Sequence, residues 1–374
     1  MLGVTGLRAV HGVRLANARL FAVVAVCLTA ARVPAATIHF VEVGNPGNAN
    51  DTTGYGAVAD AFRIGKFEWT NAQYAEFLNA IDPDGSNPNA VYNSFMGSTP
   101  RGGISFNAGA TAGSKYAVIT NFGDKPVNYV SWWDAARVAN WLHNGAQAYG
   151  STDASASAPQ NIGAYLVGTS TTGDVIPKTA TARYWIPTEN EWYKAAYYNG
   201  DSSAYTLYGN GFSSAPTPVT ATTVGVGTDG SASPLVTGNF ANYGQGANWN
   251  GSEGSWPTGA TATPGNVTTV GTNGGSSFYG AFDMSGNVWE WIGASGGSGL
   301  AVRRGGAWQN ASSSVANLSS SVRQTTQAAT SVESDGMGFR MATVPEPASV
   351  GHAAAGGAWV CGWWAMRRWR RRRA

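Results

Sequence analysis

Cysteine is almost missing from this 374-residue chain: there are two, Cys27 and Cys361, and both lie in end segments. The stretch between them has no thiol for a disulfide, a metal or a nucleophile. Histidine is scarce too, with His39 and His143 the only two between the ends. Charge is thin, at 12% of residues, and the cations crowd the termini. Four Lys and Arg fall in residues 1–35 and six in the tail, leaving thirteen cations against twenty-one carboxylates, a net charge of about −8. A body of that sign excludes nucleic acid as a partner, since such a partner needs a basic face on the folded domain. The overall basic isoelectric point belongs to the ends.

Those ends read as targeting segments. Arg8, Arg14 and Arg19 precede the apolar run Leu20–Ala31, and small residues follow at 33–36. That order is expected of a secretory signal over residues 1–35; the run is shorter than the roughly 20 apolar residues a membrane-spanning helix needs. At the other end Pro345, Glu346 and Pro347 are followed by a weakly apolar stretch to Met366, then six arginines between Arg367 and Arg373. The order resembles the PEP-CTERM sorting tail of Gram-negative bacteria. The resemblance implies an exosortase as partner at the membrane, transient anchoring in the inner membrane, and delivery to the cell envelope or extracellular matrix. A plain C-terminal anchor is the alternative. An exported body without disulfides must draw its stability from an ordinary core and from any bound metal.

What is abundant is glycine, fifty residues, and aromatics, 11%. Three helix starts carry a hydroxyl followed three residues later by an amide or carboxylate: Thr70 with Gln73, Ser131 with Asp134, Thr188 with Glu191. This is the capping-box pattern, and apolar stripes such as Tyr74, Phe77 and Leu78 follow it. Between Asn199 and Gly280 no helix pattern occurs. Aromatic residues there are too frequent for a disordered linker, so packed loops and short hairpins are expected, whereas 85–113 and 150–174 read as mobile. His143 ends a helix, where its charge suits the macrodipole; Glu189 and Glu191 suit a helix start.

Four blocks then carry a family resemblance. They are Arg63–Asn71, Lys125–Trp132, Trp185–Trp192, and a last group made of Gly286–Trp291, Arg304–Trp308 and Gly338–Arg340. Together they resemble the formylglycine-generating enzyme family, the sulfatase-modifying factors, across Val41–Ala342. The resemblance implies an α+β fold related to the C-type lectin-like fold, low in regular structure with long ordered loops. The expected organisation is a signal at 1–35, this domain at 36–343 and a sorting segment at 344–374.

The family's enzymes oxidise a substrate cysteine to formylglycine with oxygen and copper held by two cysteines. On this chain those positions fall on Asn310 and Val315, so copper is not expected: an amide is a poor partner for Cu(I) and a valine is none. Two histidines also exclude the three-histidine iron site of related enzymes. Two functions stay open, a non-catalytic binding or matrix component and an active oxidase or enzyme of altered chemistry. The resemblance further implies a calcium ion held by Asp283, Gly286, Val288 and Glu290, with a second site at Asn242 and the Tyr243 carbonyl. The alternative is that Glu290 pairs with an arginine such as Arg304 while Asp283 caps a turn. Extracellular polysaccharide and envelope proteins are the candidate partners. Trp249, Trp256 and Tyr279 are either sugar platforms or loop packing.

Overall fold

The computed structural model describes residues 37–230, 237–250, 264–325 and 329–345. All three capping boxes open helices. Helix α1 spans Asn71–Ile81; Thr70 N donates to Gln73 Oε1 at 2.9 Å while the Thr70 hydroxyl accepts from Gln73 N. Its buried residues Tyr74, Phe77, Leu78 and Ile81 recur at the helical period and face the core. The short α2 (Phe95–Ser98) follows, then α3 (Trp132–His143) with Ser131 and Asp134 at its start, then α4 (Glu189–Tyr197) with Thr188 and Glu191. Helix α3 is buried from Trp132 through Leu142, so it is the centre of the domain rather than a surface helix.

One four-stranded antiparallel sheet has the order β1 (Phe40–Val43), β2 (Phe62–Gly65), β15 (Ala342–Thr343), β5 (Tyr184–Trp185). A second sheet places β12 (Trp289–Gly297) between β13 (Leu300–Arg304), antiparallel, and β14 (Met337–Gly338), parallel. The rest are two-stranded ribbons: β3 (Ile104–Phe106) with β4 (Tyr116–Val118), β6 (Tyr198–Asn199) with β7 (Ala204–Tyr205), β8 (Thr217–Pro218) with β11 (Phe240–Ala241), and β9 (Thr220–Ala221) with β10 (Gly227–Thr228). Large aromatic residues fill the space between helices and sheets, among them Trp132, Trp192, Trp291 and Phe339, each at most 2% exposed. The long segment after Asn199 is thus built of ribbons and packed loops, with no helix among its described residues up to 280.

Two segments expected to be mobile are instead tied into the fold. Residues 85–113 contain α2 and β3. Residues 150–174 are held on α3: Asn140 Nδ2 donates to the carbonyls of Gln160 and Tyr165, and Arg137 donates to Asn161 Oδ1 and to the Ser170 carbonyl. Composition suggested mobility because these partners are mostly main-chain groups, which leave no trace in a pattern of side chains. Trp249 is also packed. It is 5% exposed, sits 4.9 Å from Phe122 and donates Nε1–H to the Val267 carbonyl. It offers no face for a sugar, and Trp256 lies outside the described residues.

Behind the start of α3, Asn93 Nδ2 donates to Glu333. Burial, then the charge of Asp134, pushes the Glu333 carboxyl up to about 8, and burial lifts Asp134 to about 6. A carboxyl with a raised folded-state pKa binds its proton more tightly when folded. Its contribution is full below the unfolded value near 4.5 and is lost as pH rises toward about 8. Chemical-denaturation midpoints are therefore expected to fall from about pH 5 to about pH 8, and the Glu333→Gln variant to flatten that slope. An unchanged slope in the variant would assign the effect elsewhere.

Candidate functional site

The centre of the domain holds four charged groups under the Gly286–Trp291 block. Glu290 lies on β12 and is fully buried. Arg340 donates from Nε to its Oε2 and from Nη2 to its Oε1, both at 2.6 Å. Trp192 Nε1 adds a third donor to Glu290 Oε2 at 2.8 Å. Arg340 also reaches the carbonyls of Gly65 and Phe282, so it ties β2 and the 282–283 turn to β12. Burial by itself would lower the Arg340 pKa; the charge and hydrogen bonds of Glu290 hold it above the ordinary arginine value. Glu290 thus pairs with an arginine other than Arg304, which goes instead to Glu189 at 2.7 Å.

Glu68 comes from the segment after β2. Its Oε2 accepts from Asn287 Nδ2 at 2.6 Å and its Oε1 from the Val288 amide at 3.1 Å. Burial first, then the nearby charges of Asp283 and Glu290, raise its pKa well above the carboxylate range. Asp283 has a positive φ of 58° and accepts from the Gly271 amide at 2.5 Å and from Asn273 Nδ2 at 2.8 Å. Burial raises its pKa also.

These contacts test the fit of a calcium ion. Ca²⁺ takes six to eight oxygens from carboxylates, carbonyls and water. Both oxygens of Glu290 face a guanidinium, and both oxygens of Asp283 face N–H donors. Gly286 brings its backbone against Asn242. Among the described residues no three Asp, Glu, His or Cys side chains gather as a metal cluster. As arranged, the carboxylates of Asp283 and Glu290 are turned to N–H donors and a guanidinium rather than to a cation. Asn242 differs: its Nδ2 donates to Asn266 O, Thr268 Oγ1 and Asn287 Oδ1, while its buried Oδ1 has no partner. The neighbouring Tyr243 is held through its hydroxyl on the Pro216 carbonyl.

The two positions onto which the resemblance lays the family's cysteines are used for packing. Asn310 Oδ1 accepts from the Ala307 amide at 2.7 Å, closing a turn, and its carbonyl accepts from Gly244. Val315, in the 3₁₀ turn Ser312–Leu318, packs against the cluster of Tyr208, Tyr243 and Leu318. The described residues include no cysteine and so offer Cu(I) no thiolate. His143 Nδ1 accepts from the Arg183 amide at 3.1 Å, a structural role at the end of α3. Pro345 is the last described residue; Glu346 and Pro347 lie outside.

Glu68, Asn287, Trp192 and Arg340 were not singled out as site residues by sequence, although all four lie in motif blocks. A lone acid between Phe67 and Trp69, and a lone arginine after Phe339, are the available signal. A charge set among core aromatics must find a buried partner. Cavities open on the surface formed by the described residues. One of about 430 Å³ is lined by Ile38, His39, Phe67, Trp69 and Asp124; another of about 260 Å³ is lined by Asn199, Asn210, Phe212, Ser276 and Phe278.

Comparison with known proteins adds the following. Residues 40–344 match the family described as "Sulfatase-modifying factor enzyme 1-like domain". No curated protein matches the chain. The structure is similar to that of CarF, at 19% identity and a TM-score of 0.44, covering 83% of this chain and 99% of that one. It is similar to Treponema denticola variable protein 1 at 16% identity, TM-score 0.40, covering 82% and 95%. PvdO from Pseudomonas aeruginosa is similar at 18% identity, TM-score 0.37, covering 82% and 92%.

Proposed function

We propose, from the premise that the chain belongs to the sulfatase-modifying factor enzyme 1-like domain family, that it keeps the scaffold without the oxidative chemistry and works as a binding domain. The observation that supports this reading is the use made of Asn310 and Val315, one closing a turn and the other filling an apolar cluster. Neither offers Cu(I) the soft thiolate it takes. The reading competes with an active formylglycine-generating oxidoreductase, or an altered enzyme, acting on exported proteins. Incubating the protein with copper, oxygen and a sulfatase-type cysteine peptide is expected to return the peptide unchanged by mass. Formylglycine in the product would reverse the assignment.

The charged centre at Glu290 belongs to the same reading. Arg340 supplies at Glu290 the positive charge that an ion would bring, so stability at this centre is ascribed to an ion pair. The setting we propose is the envelope or matrix outside the inner membrane, after removal of residues 1–35 and recognition of Pro345-Glu346-Pro347 by an exosortase. The mass of the mature protein is expected to lack the first 35 residues and the arginine-rich end; a full-length mass in soluble extracellular material would contradict both cuts.

A further inference from the structure

We infer that the 260 Å³ cavity between the β6–β7 ribbon, the turn at 208–212 and the segment 276–278 binds the ring of a neutral sugar. The inference rests on the binding-domain reading and gives it a ligand class. The cavity is lined by tyrosine, phenylalanine, asparagine, serine, threonine and glycine, with no charged side chain among the described residues. Phosphate, carboxylate and ammonium ligands would enter without a counter-charge. A wholly apolar ligand would leave the amides and hydroxyls unpaired. A pyranose ring has what both kinds of wall need, C–H faces for the rings and hydroxyls for the amides.

Three details show that the walls are built. Tyr208 and Phe212 close a turn, with the Tyr208 amide donating to the Phe212 carbonyl at 2.9 Å. The turn needs Gly211 at φ +87°, where a Cβ would also press on the Ser276 carbonyl at 3.4 Å. It sets the Phe212 ring at the rim, 38% exposed. On the other side Phe278, 41% exposed, stands edge-on to Tyr279 at 5.1 Å and lies against Gly200, where any Cβ would come within 2.9 Å of its Cε1. Two partly exposed phenyl rings thus stand at one neutral cavity.

The polar wall is fixed in place by its own hydrogen bonds. Asn210 is 5% exposed; its Nδ2 donates to Asn239 Oδ1 and the Phe240 carbonyl, while its buried Oδ1 has no hydrogen-bond partner. That oxygen is covered by the protein itself, so the hydrogen-bonding residues the lining offers a ring are Asn199, Thr206, Ser276 and Ser277. Asn199 is held in one orientation because its Oδ1 accepts from the Asp201 and Ser202 amides. The volume lies near the lower end of the range for small-molecule sites, about 300 Å³, which suits one ring at a time.

Saturation-transfer NMR on the whole protein tests this with the methyl glycosides of glucose, galactose, mannose and N-acetylglucosamine, and methyl glucuronide as the charged control. Transfer to the ring C–H of at least one neutral glycoside is expected, with little to the glucuronide. Phe278→Ala is expected to weaken that binding by about tenfold, worth 1.4 kcal/mol, and Gly200→Ala to weaken it by displacing the same ring. Both variants should retain the wild-type circular dichroism. Silence toward all neutral glycosides overturns the inference, as does equal transfer to the glucuronide or undiminished transfer from Phe278→Ala. The cysteine-peptide assay reports separately, so a sugar-silent protein that is also inert toward the peptide loses this inference and keeps the proposed function.

Discussion

Replacing Arg340 with methionine is expected to lower the unfolding free energy by about 3–5 kcal/mol, the cost of leaving a buried charge without its partner. The pair it breaks is almost fully buried, with side-chain exposure of 0% for Arg340 and 1% for Glu290. The stranded Glu290 would keep the Trp192 donor and lose two charged ones. The carbonyls of Gly65 and Phe282 would lose a donor at the same time. Urea unfolding gives the number directly. Adding Glu290→Gln to Arg340→Met is expected to recover part of the loss, because the uncompensated charge is then gone. A loss of less than about 1 kcal/mol would mean that the pair behaves like a surface one. EDTA is expected to leave the wild-type transition in place; a downward shift would place a stabilising ion in the domain and overturn the assignment of Glu290 to an ion pair.

Gly286→Ala is the second large effect, expected on the order of 3 kcal/mol from left-handed strain and disturbed hydrogen bonds. Gly286 has φ +95°, and a Cβ there would lie 2.5 Å from the Asn242 carbonyl oxygen. That oxygen accepts from the Asn287 amide at 2.8 Å, while the Gly286 amide donates to Gly305. Any relief of the clash therefore disturbs Asn287, which holds Glu68. Alanine keeps the backbone carbonyl, so a metal ligand at this position would survive the change and a close-approach role would not. Denaturant unfolding of the variant decides: a wild-type midpoint would show that the backbone yields easily.

The helices were legible because their signals are local. Thr70, Ser131 and Thr188 each sit three residues before their reciprocal partner, and each opens its helix where expected. The scarcity of regular structure was legible too, from glycine and polar runs. The charged centre was only half legible. Glu290 and Asp283 stood out as carboxylates in a motif, but their partners come from 50 residues away in Arg340 and from Gly271 and Asn273 on a neighbouring loop. No sequence period connects such residues. Glu290 and Arg304 do stand opposite each other on β12 and β13, yet Glu189 at the start of α4 takes that arginine. The 260 Å³ cavity was invisible for the same reason, since its walls come from 197–199, from Thr206 with 210–212, and from 276–278, stretches with nothing in common but their meeting place.

The pairing of β15 with β2 has a consequence for the order of assembly. Ala342 lies against Ile64, and Arg340 reaches the Gly65 carbonyl 275 positions away. Contacts that close so large a loop form late and slowly. A chain that emerges from the ribosome N-terminus first holds β1 and β2 as an incomplete ribbon until nearly all the domain has been made. Glu290 likewise lacks its guanidinium partner until then. Completion of the core is therefore timed by the last strand, and a chain cut short before Arg340 is expected to stay a client of chaperones and proteases rather than a smaller version of the same domain.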